Sequence, residues 1–83
     1  MIDTAEIYQR LSLVFRDVFE DEALTVKPGM TADDISGWDS LTNLRLVLTV
    51  QKAFGVKFTA HEITSLNNVG ELATLVQAKT RFE

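Results

Sequence analysis

The segment GWDSLTNLRLVLTVQKAFG, residues 37–55, decides the fold of this chain. From residue 40 to residue 54 its apolar residues recur at helical spacing, and Gly55 is well placed to end the helix as its C-cap. These apolar residues cover about 220° of a helical wheel, which is more than packing against one neighbour requires. We therefore predict a helix that is flanked on two sides, lines an internal space, or shows apolar surface to a partner. The apolar residues are Leu41, Leu44, Leu46, Val47, Leu48, Val50 and Phe54.

Three further helices are predicted from periodicity and from capping signals on either side of this segment. The first covers residues 3–20, the short third helix covers residues 59–66, and the last covers about 68–79. Each begins with a capping residue that is followed three positions later by an acid. These pairs are Asp3 with Glu6, Thr59 with Glu62, and Asn68 with Glu71.

The connection between the first and second helices, residues 21–39, is long and has no sustained periodicity. A loop of this length in a small domain is usually functional or packed by its own side chains. We expect Leu24, Val26, Met30 and Ile35 to attach it to the core. The prediction is an all-α fold: a small four-helix bundle with three longer helices, one short helix and a long first loop.

Composition limits the class of protein. The 83 residues, 46% of them hydrophobic, predict one domain covering residues 1–83 with residues 80–83 frayed. The absence of cysteine excludes disulfides and thiolate metal sites, and a single histidine, His61, argues against a zinc site. A net charge of −4 argues against nucleic-acid binding, including a DNA-binding helix-turn-helix. No apolar run is long enough to span a membrane, and the acids Asp3 and Glu6 argue against a signal peptide. We expect a soluble, cytoplasmic monomer.

The sequence contains no recognisable catalytic set. It has no Ser/His/Asp arrangement at a credible spacing and no Gly-rich phosphate loop. The acids within residues 17–22 lack the spacing of a calcium loop and are better explained as a solvated helix end. We therefore expect a protein that is not itself an enzyme.

The tripeptide Asp39-Ser40-Leu41, at the start of the second helix, resembles the attachment motif of acyl carrier proteins. The resemblance continues through residues 54–58 and 68–72 and covers essentially the whole chain in helix order and spacing. It implies that a phosphopantetheinyl transferase joins 4′-phosphopantetheine from coenzyme A to Ser40 through a phosphodiester. It also implies that the thiol of this arm carries an acyl thioester to acyl-loading, acyl-transfer or synthase enzymes of fatty-acid, lipid or secondary-metabolite synthesis.

Each motif residue also has a structural explanation beside the role that the resemblance implies. The free N–H groups and the dipole at a helix start favour a phosphate on Ser40, but serine there is also an ordinary N-cap. Asp39 would be recognised by the transferase or cap the helix, and the two roles are compatible. Leu41 would contact partners or pack. Trp38 stands where fatty-acid carriers have a small residue; it would shield the arm or, as we favour, pack the loop onto the bundle.

The charge of the second helix departs from the family pattern. Typical fatty-acid carriers present several acids there, whereas this helix has Arg45 and Lys52 and no acid after Asp39. Our hypothesis is a specialised carrier that serves its own enzymes rather than the housekeeping fatty-acid carrier. A second hypothesis is that apolar residues of the second helix and of residues 58–66 line an acyl pocket; the alternative is a fully packed core. They are Leu44, Leu46, Val47, Leu48, Val50, Phe58, Ile63 and Leu66.

Two other functions stay open on the residues alone. An aminoacyl or peptidyl carrier would share the serine and the bundle, although Asp39 before the serine favours an acyl carrier. A helical interaction module without a prosthetic group would need Ser40 to be only a helix cap.

Overall fold

Four helices make up the regular structure of residues 3–80, the part of the chain that the computed structural model describes. They are α1 (Thr4–Phe19), α2 (Ser40–Phe54), α3 (Ala60–Thr64) and α4 (Val69–Thr80). The predicted all-α, four-helix fold is confirmed, and the bounds of α2 are those predicted from its periodicity. Gly55 ends α2 in the left-handed region, at φ 69°, as its sequence position indicated.

The starts of the helices follow the predicted capping signals, with differences in detail. The Thr59 and Glu62 pair forms both hydrogen bonds of a capping box, and the Glu62 carboxylate also pairs with Lys79 of α4 at 3.0 Å. At α1 the Asp3 carboxylate accepts the Glu6 N–H at 2.8 Å, but the Glu6 carboxylate pairs with Arg10. Of the two hydrogen bonds of the predicted capping box at α1, the one accepted by Asp3 is present, whereas the Glu6 carboxylate has Arg10 as its partner.

Asn68 caps α4 as predicted, but the acid three residues later has a different partner. The Asn68 side-chain oxygen accepts the N–H of Glu71 at 2.8 Å. The Glu71 carboxylate in turn accepts the backbone N–H of Asn67 rather than that of Asn68. The cap thus extends one residue further back along the chain than the sequence pattern indicated.

Three helix ends differ from the sequence prediction. The first helix ends at Phe19 rather than at residue 20, because Glu20 is its C-cap in the left-handed region, at φ 52°. The third helix ends at Thr64 rather than at residue 66. The carbonyl of His61 accepts the helical N–H of Ser65 at 3.1 Å and also the hydroxyls of Thr64 and Ser65, and such hydroxyl bonds compete with continuation of the helix. Fraying from residue 80 was wrong for Thr80, which belongs to α4 and is 2% exposed. Residues 81–83 lie outside the described part of the chain.

The core lies around α1, which packs against both α2 and α4. The side chains of Leu11, Phe15, Leu46 and Leu72 are fully buried there. Burying a side chain of this size contributes about 1.5–3 kcal/mol relative to leaving it in water. The first helix therefore holds α2 and α4 together through a shared core.

The long connection between α1 and α2 is fastened to two helices. Val26 and Ile35 are buried and Leu24 and Met30 are partly buried against the core, as predicted. On the α1 side, the Val26 N–H donates to the buried hydroxyl of Ser12 at 3.1 Å. The connection is thus held against the core by its own side chains, which fixes the path of the chain towards the start of α2.

The same connection also satisfies the start of α4. The carbonyl oxygens of Met30 and Pro28 accept the N–H groups of Val69 and Gly70, both at 2.9 Å. N–H groups in the first turn of a helix have no partner within the helix. Two of those of α4 therefore depend on the loop.

Gly70→Ala is expected to destabilise the fold, although alanine is normally the better helix former by about 1 kcal/mol. A Cβ at position 70 would lie 2.9 Å from the Pro28 carbonyl oxygen, a backbone atom that is also a hydrogen-bond acceptor for this residue. We expect a loss of about 1–3 kcal/mol in urea unfolding. Gly29→Ala is the matched control, because a Cβ there meets nothing within 4 Å. A stabilised Gly70→Ala protein would contradict this contact.

The wide apolar face of α2 is divided between core and surface. Leu46, Val47 and Val50 are completely buried, whereas Leu41, Leu44 and Leu48 are 78%, 47% and 54% exposed. Of the three explanations offered for the wide face, the presentation of apolar surface is the one observed.

The acyl-pocket hypothesis gains no support from these positions. Its members on the inner side of α2 are packed in the core. Of the whole set, Leu66 alone borders the grooves that lie beside Ser40 and along α4.

Candidate functional site

Ser40 is the first residue of α2, and its side chain is exposed. Asp39, in extended backbone, caps the helix: its carboxylate accepts the backbone N–H and the hydroxyl of Thr42 at 2.9 and 3.0 Å. Because Asp39 performs the capping, the hydroxyl of Ser40 is not needed for it. No hydrogen bond among residues 3–80 engages the Ser40 hydroxyl. The explanation of Ser40 as the helix cap is therefore wrong, and that role belongs to Asp39.

Trp38 fixes the chain as it enters α2. Its ring meets that of Phe15 edge-on, with centroids 5.5 Å apart, and lies 6.2 Å from that of Phe19. Its indole N–H donates to the side-chain oxygen of Asn43 at 3.0 Å, one turn into α2. The interpretation of Trp38 as a residue that packs the loop onto the bundle is confirmed, and it holds the backbone two residues before Ser40.

A groove of about 310 Å³ opens beside Ser40. Residues from three segments line it: Ala32, Trp38, Asp39, Ser40, Asn43, Leu66 and Asn67. Of these, Asn43, Leu66 and Asn67 were not identified as site residues from the sequence. Asn43 could have been, because it lies three residues after Ser40 on the same helix face. Leu66 and Asn67 reach the groove only through the packing of the α3–α4 connection.

The electrostatics of this helix start favour an anion. The pKa of the Asp39 carboxyl is held below its ordinary value, chiefly by the backbone N–H of Thr42 and then by the Thr42 hydroxyl. The first turn of α2 contains no acidic residue. Its remaining partial positive charge is therefore available to a negatively charged group on Ser40.

Asp39→Ala is expected to lower the free energy of unfolding at neutral pH, and this difference should shrink in acid. A carboxyl whose pKa is lowered by folding stabilises the protein above its unfolded-state pKa, near the ordinary value of about 3.9. That contribution is lost as the pH falls through the lower folded-state pKa. Urea unfolding of both proteins between about pH 7 and pH 3 measures it. A difference that stays constant with pH would show that the Asp39 charge is not involved.

A larger groove, of about 800 Å³, lies between α3, α4 and the loop at Pro28 and Gly29. Its walls include Tyr8, Leu66 and Leu75, and it does not contain Ser40. Burial raises the pKa of the Tyr8 hydroxyl above its ordinary value. His61, Glu62, Ser65 and Glu71 also line this groove. Glu62 pairs with Lys79, the Ser65 hydroxyl donates to the His61 carbonyl, and the Glu71 carboxylate accepts the Asn67 N–H. Among the described residues, no hydrogen bond joins the Ser65 hydroxyl to a basic side chain that could activate it.

Known proteins share this fold and site region. The family model described as "Phosphopantetheine attachment site" matches residues 9–76. The chain belongs to the acyl carrier protein family. The solution NMR structure of the holo acyl carrier protein from Geobacter metallireducens is similar to this carrier, with 36% sequence identity and a TM-score of 0.81. That likeness covers 88% of this chain and 84% of the other. Among curated protein sequences, none matches the carrier.

The cofactor of this carrier is a covalently attached 4′-phosphopantetheine. The residues at the start of α2 are compatible with it. They offer an exposed hydroxyl, a helix N-terminus without an acid in its first turn, and a groove with the amide side chains of Asn43 and Asn67 beside it. In such surroundings the helix N-terminus attracts the phosphate of the arm, and the amide side chains offer hydrogen bonds to the polar groups of the arm.

Other sites are not formed by the described residues. Within residues 3–80, no three His, Asp or Glu side chains are grouped so that they could hold a metal ion. None of the four helices is long and apolar enough to cross a membrane.

Proposed function

We propose that this carrier holds the phosphopantetheine arm on Ser40 and delivers acyl groups from it to the enzymes of a biosynthetic pathway. The supporting observation is the placement of Ser40 as an exposed, uncommitted hydroxyl at the start of α2, directly after a separate capping residue. Fatty-acid, lipid and secondary-metabolite synthesis are the pathways in which such carriers act.

The other serines offer poorer attachment points. Ser12 is buried and its oxygen accepts the N–H of Val26. Ser65 ends α3, with its hydroxyl donating to the carbonyl of His61 at 2.6 Å. Ser36 is exposed but lies in the loop, without a helix start behind it. Ser40 alone among the four combines exposure with free first-turn surroundings.

The residues around Ser40 divide the work of holding the arm. Asp39 and Trp38 fix the backbone on the N-terminal side of the attachment point, while Leu41 presents an exposed apolar side chain to whatever enzyme approaches. The arm supplies the thiol on which an acyl group is held, since the chain contains no cysteine. The protein thereby acts as a substrate of its partner enzymes and not as a catalyst.

The proposed partners are a phosphopantetheinyl transferase and acyl-loading, acyl-transfer or synthase enzymes, which a cytoplasmic, monomeric carrier would meet by diffusion. Because α2 has two cations and no acid, we propose a specialised carrier with its own enzymes rather than the housekeeping fatty-acid carrier. A fatty-acid synthase that used this carrier as efficiently as its own would contradict this second part.

The attachment is tested by incubating the purified chain with coenzyme A and a broad-specificity phosphopantetheinyl transferase, followed by intact-mass measurement. The expected result is a gain of one phosphopantetheine per chain. An unmodified chain under conditions that modify a standard carrier would instead favour a non-covalent interaction module.

A further inference from the structure

One side of α2 presents leucines and cations together. Leu41, Leu44 and Leu48 lie within about 60° of one another on the helix, and Arg45 and Lys52 lie within about 60° of Leu48. All five side chains are exposed. We call these five residues the leucine–cation face; it begins beside Ser40 and runs along the whole helix.

The exposed leucines are the first unusual feature of this face. A single exposed leucine is ordinary on a protein surface, but three adjoining ones form a contiguous apolar patch of the kind that marks an interaction site. The patch lies next to the hydroxyl at which partner enzymes must act, so an approaching enzyme covers it.

The charge on the face is opposite to that of the chain as a whole. The carrier has a net charge of −4, yet α2 contains Arg45 and Lys52 and no aspartate or glutamate. Within residues 3–80, the ion pairs are Arg10 with Glu6 and Lys79 with Glu62, so neither cation of the face is neutralised by a carboxylate of this fold. Both charges are available to a partner.

We propose that the leucine–cation face docks on enzymes whose surface has an apolar depression bordered by carboxylates. The leucines would enter the depression and the carboxylates would lie opposite Arg45 and Lys52. A 15-residue helix is about 22 Å long, and a standard interface of about 800 Å² per partner is wide enough to cover it from end to end. This inference rests on the proposed function, since it assumes enzymes that act at Ser40.

The test uses two phosphopantetheinyl transferases of known structure, one with carboxylates and one with lysines and arginines around its active-site opening. The measured quantity is kcat/KM for arm transfer to the apo-carrier. The acidic-rimmed enzyme is expected to modify the wild-type chain faster, and added salt should slow it, because screening weakens attraction between exposed charges.

Charge reversal on the face should then exchange the preference. The double variant Arg45→Glu, Lys52→Glu is expected to lose about tenfold in kcat/KM with the acidic-rimmed enzyme and to gain with the basic-rimmed one. Lys27→Glu is the matched control for Lys52→Glu: both reverse one exposed lysine, but Lys27 lies in the loop between α1 and α2. Equal effects of these two single variants would show that only overall charge matters and would overturn the inference.

The apolar part of the face has its own matched pair. Leu48→Ser is expected to reduce kcat/KM with the acidic-rimmed enzyme, whereas Leu13→Ser, which removes a similarly exposed leucine from α1, should not. Circular dichroism of each variant checks that the helices are retained. Equal rates for Leu48→Ser and wild type, or a wild-type preference for the basic-rimmed enzyme, would overturn the proposed docking.

The outcome also separates this inference from the function on which it rests. If both enzymes modify the wild-type chain equally and charge reversal changes neither rate, the docking proposal fails while the attachment on Ser40 stands. If neither enzyme modifies the chain, the proposed function fails and the docking proposal fails with it.

Discussion

Replacement of Ser40 by alanine is expected to abolish attachment of the phosphopantetheine arm while leaving the bundle folded. The phosphodiester needs the Ser40 oxygen, and no other serine has the same exposed position at a capped helix start. The stability should change little, by about 0.5 kcal/mol or less, because Asp39 retains both of its bonds to Thr42 and the removed hydroxyl has no partner among the described residues. Intact mass after incubation with coenzyme A and a transferase measures the loss, and urea unfolding measures the stability.

Ser36→Ala is the control for this prediction. Ser36 is also exposed and lies only four residues earlier, so the variant preserves everything except a hydroxyl at the wrong place. It should accept the arm at the wild-type rate. Modification of Ser40→Ala, or loss of modification in Ser36→Ala, would show that the attachment point has been assigned to the wrong residue.

Replacement of Phe15 by alanine is expected to produce the largest loss of stability in the chain. Phe15 is fully buried, stacks on Phe19 with centroids 5.6 Å apart, and supports the edge of Trp38. Truncating a buried phenylalanine costs about 3–5 kcal/mol, and small domains have only about 5–15 kcal/mol in total. We therefore expect a protein that is partly unfolded at room temperature or unfolds at much lower urea concentration.

The fluorescence of Trp38, the only tryptophan of the chain, gives a second measure for this variant. Its emission should shift to longer wavelength as the ring loses its contact with Phe15. Leu13→Ala provides the control, because Leu13 lies on the same helix but is 62% exposed. If the cost of Phe15→Ala were no greater than that of Leu13→Ala, α1 would not have the central place in the core that the structure gives it.

The part of the site that could be predicted is the part encoded by neighbouring residues. Helical periodicity, a capping aspartate and a glycine in the left-handed region fix α2 from Ser40 to Phe54, since each acts over a few positions of the chain. Once the start of α2 is fixed, Asp39 is expected to be its cap and Ser40 its first residue, with an exposed hydroxyl.

The remaining part depends on contacts between distant segments. Leu66 and Asn67 line the groove beside Ser40 because α3 ends at Thr64 and both residues belong to the connection to α4. No local sequence pattern predicts that these two residues lie next to Ser40. The position of α1 decides which leucines of α2 are buried and which are exposed. The apolar residues of α2 cover so much of the helix surface that the sequence alone does not indicate which part of it faces α1. A sequence pattern can show that a helix has excess apolar surface but cannot show which leucines remain in solvent.

The hydrogen bonds from Val69 and Gly70 to the carbonyls of Met30 and Pro28 have a consequence for how the chain can be altered. They join the beginning of the last helix to a segment about forty positions earlier, so shortening that segment would remove two hydrogen-bond acceptors from the first turn of α4. Its length is consequently a structural requirement, and insertions or deletions between α1 and α2 should be tolerated far less well than surface loops usually allow.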